Sequence, residues 1–205
     1  MAKTGVRILG GRLRGRRLAV PGRGVRPTES RVREALFNLW GPAVMEARVL
    51  DAFAGSGAIG FEALSRGAAA VVLVDDASAV VRQLQLHRTQ LLAALAAEAD
   101  GPAADGAGPR AADAERVRVV RRRLPAAPPA AYRPCDLLFA DPPYRFADHA
   151  ALLAALDGWA APDARLILEH AAEHAPPPER GAAWRCVDRR RYGGSVLSDY
   201  RRVDA

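Results

Sequence analysis

The sequence predicts an α/β fold: a Rossmann-like, mostly parallel seven-stranded sheet with helices on its faces and an antiparallel hairpin at its C-terminal end. Three observations carry this. Short apolar runs alternate with helical patterns from residue 48 to residue 169, the order of βαβ units. A glycine-rich turn, Gly55-Ser-Gly-Ala-Ile-Gly60, stands where the first of these runs meets a helix. The last two runs flank Gly193-Gly194 with no helix between them, so they pair antiparallel.

Taken in order, Val6–Leu9 and Arg17–Val20 flank a Gly/Arg turn and predict a small basic β-hairpin. Pro27-Thr28 opens a helix on which Val32, Leu36, Leu39 and Trp40 recur at helical spacing, and Gly41-Pro42 stops it. The sheet strands are read at 49–53, 71–74, 117–120, 136–140, 165–169, 184–188 and 195–201. The helices between them are read at 57–66, 78–97 and 147–158. Residues 99–114 hold no large apolar side chain, so they are expected to form a mobile surface loop. The expected organisation is a basic hairpin arm over 1–25 and one larger domain over 26–205.

Composition narrows the classes. The chain has 205 residues, half of them hydrophobic, which suits one soluble domain with a small appendage. No apolar run approaches the roughly 20 residues of a membrane span. The start, Met1-Ala-Lys-Thr-Gly, lacks the apolar stretch of a signal peptide. Two cysteines, Cys135 and Cys186, have no metal-type spacing, so a reducing cytoplasm is expected. The net charge is +7, and residues 1–33 alone carry ten basic residues against one acid, a local +9 that leaves the rest at −2. A positive charge so concentrated marks a polyanion-binding arm. Arg12, Arg14, Arg16, Arg17, Arg31 and Arg33 are its phosphate-binding candidates.

Two constellations carry chemistry. The first is Asp51-Ala-Phe-Ala-Gly-Ser-Gly, in which Gly55, Gly57 and Gly60 form Gly-x-Gly-x-x-Gly between strand and helix. The second strand ends in Asp75-Asp76; Asp75, twenty residues after Gly55, is placed to accept ribose hydroxyls of a nucleoside cofactor. NAD and S-adenosylmethionine both fit that much. The absence of a basic residue at Ser56 or Ala58 to meet a pyrophosphate favours the second, as does Asp51, an acid at the first strand's end where a cationic tail would lie. The other constellation is Asp141-Pro-Pro-Tyr144, directly after the fourth strand. Asp141 offers carboxylate oxygens, the Pro142-Pro143 turn offers carbonyls without N–H groups, and Tyr144 offers a flat face. Acceptors beside a stacking platform suit the exocyclic amine of a nucleobase and do not suit a phosphate.

The chain resembles the bacterial 16S ribosomal RNA guanine-N2 methyltransferases. The matching pieces are Arg7-Ile-Leu-Gly-Gly-Arg-Leu-Arg-Gly-Arg, Arg26-Pro-Thr-Glu-Ser-Arg-Val-Arg-Glu-Ala-Leu-Phe-Asn, Asp51-Ala-Phe-Ala-Gly-Ser-Gly, Phe61-Glu-Ala-Leu-Ser-Arg-Gly, Asp141-Pro-Pro-Tyr and Tyr192-Gly-Gly-Ser-Val-Leu. The resemblance implies a class I methyltransferase fold and methyl transfer from S-adenosylmethionine, without a metal, to the N2 amine of one guanine in 16S rRNA of the small ribosomal subunit, by a monomer. It implies that Asp51, Phe53, Gly55, Ser56, Gly57 and Asp75 bind the cofactor. It further implies that Asp141, Pro142, Pro143 and Tyr144 hold the base. Two positions depart from the family pattern. Ala77 replaces an acid two residues after the ribose acid, and Arg123 stands where an Asp or Asn usually meets the adenine. Three competing readings share parts of this pattern: a DNA adenine-N6 methyltransferase, a non-catalytic RNA-binding protein on a vestigial fold, and an NAD oxidoreductase, which would make no use of the Tyr144 box.

The remaining conspicuous residues read as structural. His87 is expected to be exposed on the long helix, and His149, His170 and His174 lack metal-ligand spacing. Cys135, Trp40 and Trp184 are expected to pack in the core.

Overall fold

The computed structural model describes residues 5–20, 30–99, 115–129, 134–143, 145–181 and 183–203. The expected loop, apart from Ala99, and the Pro27-Thr28 helix start lie outside them. So does the boundary between residues 25 and 26. A two-stranded hairpin, β1 (Gly5–Arg7) and β2 (Arg17–Ala19), precedes helix α1 (Ser30–Trp40) and a single 3₁₀ turn. The main sheet is built from β3 (Arg48–Ala52), β4 (Ala70–Asp75), β5 (Val117–Arg121), β6 (Cys135–Ala140), β7 (Ala160–Ala171), β8 (Arg180–Gly181), β9 (Trp184–Tyr192) and β10 (Ser195–Arg202). Helices α2 (Ala58–Ser65), α3 (Ser78–Ala99) and α4 (His149–Asp157) connect the parallel strands.

Among the described residues the sheet has eight strands in the order β5-β4-β3-β6-β7-β10-β9-β8. β5, β4, β3, β6 and β7 run parallel, and β10 enters antiparallel between β7 and β9. The eighth strand is the two-residue β8, which extends the expected hairpin by pairing Arg180 with Arg185 and Gly181 with Trp184. β7 is longer than the 165–169 run suggests. Its early residues pair Ala160 with Cys135, after which the register shifts to Leu137–Arg165.

Both faces of the sheet are covered, which explains why its strands read as continuous apolar runs rather than alternating ones. Val49, Leu73, Phe139 and Ile167 face α1, α2 and α3. Leu50, Val72, Leu138 and Leu166 face the α4 side, where Leu152, Leu153 and Leu156 pack with Trp159, Trp184 and Tyr200. A bidentate Arg165–Asp199 pair, at 2.9 and 2.6 Å, ties β7 to β10, and the same guanidinium donates to the carbonyl of Leu39 in α1.

The basic hairpin is docked on this core. Val6, Ile8, Leu13 and Leu18 are buried with the side chains of α1–α3. Its turn is held by Ser65, whose hydroxyl accepts from the Leu13 N–H at 2.8 Å and donates to the Gly10 carbonyl at 2.6 Å. Glu62, fully buried on α2, accepts from the Leu9 N–H and from the Arg66 guanidinium. It also faces Arg33 of α1 at 3.6 Å.

Two expectations are corrected here. His87 is buried, 2% exposed, because it lies on the α3 stripe formed by Val80, Leu84 and Leu91. Its Nε2 accepts the Ala19 N–H at 3.0 Å, so it fastens β2. Arg33 is likewise buried at 3% exposure, donating to the Arg7 carbonyl and facing Glu62. It is an internal cation, out of reach of a nucleic-acid backbone. Trp40, Trp184 and Cys135 are buried as expected.

Glu62→Ala strands Arg33 in the core without its counter-charge and removes the Leu9 acceptor. The expected cost is about 3 kcal/mol, read as a lower urea midpoint with unchanged slope. A loss below about 1 kcal/mol would show that the hairpin and α1 do not depend on this carboxylate.

Candidate active site

The carboxyl ends of β3, β4, β6 and β7 line one edge of the sheet, where ligands of open α/β sheets bind. A cleft of about 790 Å³ opens there. Asp51 of β3 and Phe53, Gly55 and Ser56 of the β3–α2 turn form one part of its wall, with Asp75 at the end of β4 and Asp76 after it. Arg122, Arg123 and Leu124 after β5 form another. Asp141, Pro142 and Pro143 after β6 close the far side.

The β3–α2 turn has the backbone its glycines allow. Gly57, at φ 77°, caps α2 in the left-handed region that L side chains rarely enter. Gly60 lets α2 settle on the sheet, since a Cβ there would lie 2.3 Å from the Leu73 side chain. Phe53 holds a φ of 64°, an uncommon conformation for a bulky residue and one that recurs at ligand sites.

Two carboxylates define the cleft's chemistry. Asp51 is 2% exposed, and its Oδ2 accepts the Gly60 N–H at 2.9 Å. Burial pushes its carboxyl up to about 8; the nearby Asp75 charge adds to the rise, and the Gly60 N–H opposes it. A buried acid with that proton affinity is neutral at neutral pH, and a cation beside it would favour its ionised form. Asp75 is fixed at the end of β4, its Oδ2 accepting from the Gly55 N–H and its Oδ1 from the Ala77 N–H, each at 3.0 Å. Two backbone N–H groups set its orientation, a geometry that suits an acceptor of ribose hydroxyls. The acceptors and the apolar Phe53 and Leu124 suit a nucleoside with a cationic tail.

A second cavity, of about 640 Å³, lies on the other side of the β6 end. Asp141, Pro142, Phe146, Glu169 and Ser195 line both cavities and form their common wall. The Pro143 carbonyl accepts the Phe146 N–H at 2.7 Å and turns the chain back. The Phe146 ring meets Phe53 edge-on at 5.9 Å and His149 at 5.8 Å. Tyr144 lies outside the described residues. Among those described, no cluster of His, Cys, Asp or Glu could hold a metal ion.

The family model of "Conserved hypothetical protein 95" matches residues 6–201. The ribosomal RNA small subunit methyltransferase D of Escherichia coli K12 is 37% identical over 175 residues, 84% of this chain and 78% of that protein. The chain belongs to the ribosomal RNA small subunit methyltransferase D family. A solved Escherichia coli structure, 34% identical, covers 98% of this chain and all of its own at a TM-score of 0.72. An RNA methyltransferase of Salinibacter ruber, crystallised with S-adenosyl-L-homocysteine, is 14% identical and shares the fold at a TM-score of 0.59, covering 88% of this chain and 95% of its own. The sheet is that of the methyltransferase fold.

Within this fold, Asp51, Phe53, Gly55, Ser56, Asp75, Asp141, Pro142 and Pro143 converge on one cleft, and Gly57 caps the helix beside it. Arg12, Arg14, Arg16, Arg17 and Arg31 are exposed, on the hairpin and the start of α1, away from the cleft's lining. Glu169, Ser195 and Phe146 are site residues that the sequence reading missed. The available signal was positional: Glu169 closes the fifth parallel run as Asp75 and Asp141 close or follow theirs, and Ser195 sits in the Tyr192-Gly-Gly-Ser-Val-Leu motif.

The raised Asp51 carboxyl predicts a pH effect. Between about pH 4 and about pH 8 the folded protein holds a proton that the unfolded chain has released. This stabilising contribution is therefore full at low pH and lost as pH rises through the folded value. The neutral isostere Asp51→Asn should melt above wild type once the pH exceeds about 8, with the gap closing toward pH 4. A gap independent of pH would show that Asp51 is charged throughout.

Proposed function

We propose that this protein transfers a methyl group from S-adenosylmethionine to the exocyclic N2 amine of a guanine in small-subunit ribosomal RNA. The observation that carries the proposal is the common wall. Asp141 and Pro142 stand between a cleft suited to a nucleoside with a cationic tail and a second cavity large enough for a base. The names of the relatives support the RNA class, and the cytoplasm is where such RNA is met.

The residues fit the cofactor. Asp75 takes the ribose hydroxyls, the Gly55-Ser56-Gly57 turn lets backbone come close, and Asp51 faces the charged tail. When bound, S-adenosylmethionine would supply an electrophilic methyl group, its bond to sulfur breaking as the N–C bond forms so that S-adenosylhomocysteine leaves. The target amine is a poor nucleophile because its lone pair is delocalised into the ring. Asp141 and the Pro142 carbonyl accept its two N–H bonds and favour the pyramidal form, whose lone pair forms the new N–C bond. The amine proton released in that step passes to the Asp141 carboxylate or to water. Tyr144 stacks on the base, which must leave its own stack to reach such a pocket; stacking of this kind is worth roughly 1–3 kcal/mol. The rest of the rate gain is alignment of the reacting atoms. The exposed arginines of the hairpin, with Arg31, supply a sequence-independent grip on phosphates, and the substrate is an assembled or assembling subunit met by a monomer.

The test is tritiated methyl transfer to unmodified small subunits, free rRNA and duplex DNA. Wild type should label the RNA substrates as N2-methylguanosine and leave DNA unlabelled. Asp141→Ala should lose at least about 10²-fold in kcat while its calorimetric affinity for S-adenosylhomocysteine stays at the wild-type value. Turnover near the wild-type rate in that variant would refute the role of Asp141, and label in DNA alone would refute the substrate.

A further inference from the structure

We propose that Glu169, held by Ser195, is the residue that selects guanine over adenine in this site. The inference rests on the guanine-N2 reading above and adds the element that the Asp-Pro-Pro turn lacks. An acceptor pair at Asp141 and Pro142 grips any exocyclic amine, that of adenine as readily as that of guanine.

Glu169 is placed by the sheet. Leu168 of β7 is in register with Ala140 of β6, so Glu169, still within β7, and Asp141, the first residue past β6, stand side by side. Such strands run about 4.8 Å apart. The preceding partners, Phe139 and Ile167, lie in the core shared with α1–α3, so Glu169, two residues beyond Ile167, projects from that same face. Glu169 is 7% exposed, yet it lines both cavities, as do Asp141 and Ser195. Across the sheet, Ser195 pairs with Ala171, two residues beyond Glu169, and its hydroxyl donates to Glu169 Oε1 at 2.7 Å. That bond fixes the plane of the carboxylate. A carboxylate offers about four acceptor positions, so the group keeps capacity for a ligand N–H.

The chemistry of the two bases then decides between them. On its Watson–Crick edge guanine presents the N1–H donor directly beside the N2 amine. Adenine presents a bare N1 lone pair beside its N6 amine. Two neighbouring acceptor groups match guanine's run of adjacent donors: Asp141 and Pro142 take the amine, and Glu169 takes N1–H. In the same pose adenine sets a lone pair against the buried Glu169 carboxylate, a repulsive contact that discriminates by exclusion. A polar site built to bond a substrate N–H rejects analogues lacking it far more strongly than an apolar pocket rejects a missing methylene. Glu169 is a specificity-determining residue, and Ser195 is a positioning residue that acts through it.

The test pairs protein variants with one substrate change. Once the modified position is mapped, an RNA carrying 2-aminopurine there keeps the C2 amine but has no N1–H. Wild type should methylate guanine with a kcat/KM on the order of 10²-fold or more above 2-aminopurine. Glu169→Gln and Glu169→Ala should lose activity on guanine but not on 2-aminopurine, bringing the ratio within about tenfold. Ser195→Ala should shift the ratio the same way by a smaller factor. Calorimetric affinity for S-adenosylhomocysteine should be unchanged in all three, as a merely structural role would not allow. Absence of discrimination in wild type, or the same ratio in wild type and the variants, overturns the proposal. If wild type places no methyl group on guanine N2, the underlying functional reading fails instead.

Discussion

The site depends on one constraint: the register of the parallel strands at their carboxyl ends. Asp51 pairs with Phe139 and Ala52 with Ala140, and Ala140 is in turn level with Leu168. Asp75, Asp141 and Glu169 are therefore delivered at one level along the sheet, with Asp51 two residues inside. A slip of one residue in any of these ladders would carry its acid to the opposite face. The apolar core on both faces resists such a slip, since it would bury Asp51 or Glu169 among the leucines packed against α4. Hydrophobic packing and the placement of acceptors are thus one constraint.

The second dependence is electrostatic and lies at the other end of α2. Glu62 is buried but fully occupied by Leu9, Arg33 and Arg66. Through it the hairpin, α1 and α2 share one anchor, while the N-terminal end of α2 borders the cleft at the sheet edge. The hairpin is thus docked on the core, with its arginines on the exposed side.

What could be read in the sequence was what is local. The Gly55-Ser-Gly-Ala-Ile-Gly60 turn, the acid at the end of β4 and the Asp-Pro-Pro turn each declare themselves within a few residues, because strand-to-helix turns have narrow backbone requirements. Glu169 and Ser195 did not, because their meeting requires β10 to insert between β7 and β9, a pairing across 26 residues. Arg33 and His87 were misjudged for a related reason. Each is a polar residue on an otherwise apolar helical stripe, and its partner, Glu62 or the Ala19 amide, is remote in sequence. The periodicity of Val80, Leu84 and Leu91 held the clue that His87 points inward. Charge alone is visible in a sequence; whether a charge faces solvent is decided by the tertiary contact.

Under the proposed function, one sheet edge brings a methyl donor and a single guanine of ribosomal RNA together. The most direct measurement is a comparison of small-subunit RNA from cells with and without this protein, digested and mapped by mass spectrometry. One N2-methylguanosine should disappear and return on complementation with the wild-type chain but not with the Asp141→Ala chain. An unchanged N2-methylguanosine map, or loss of a methyl group from adenine instead, would contradict it.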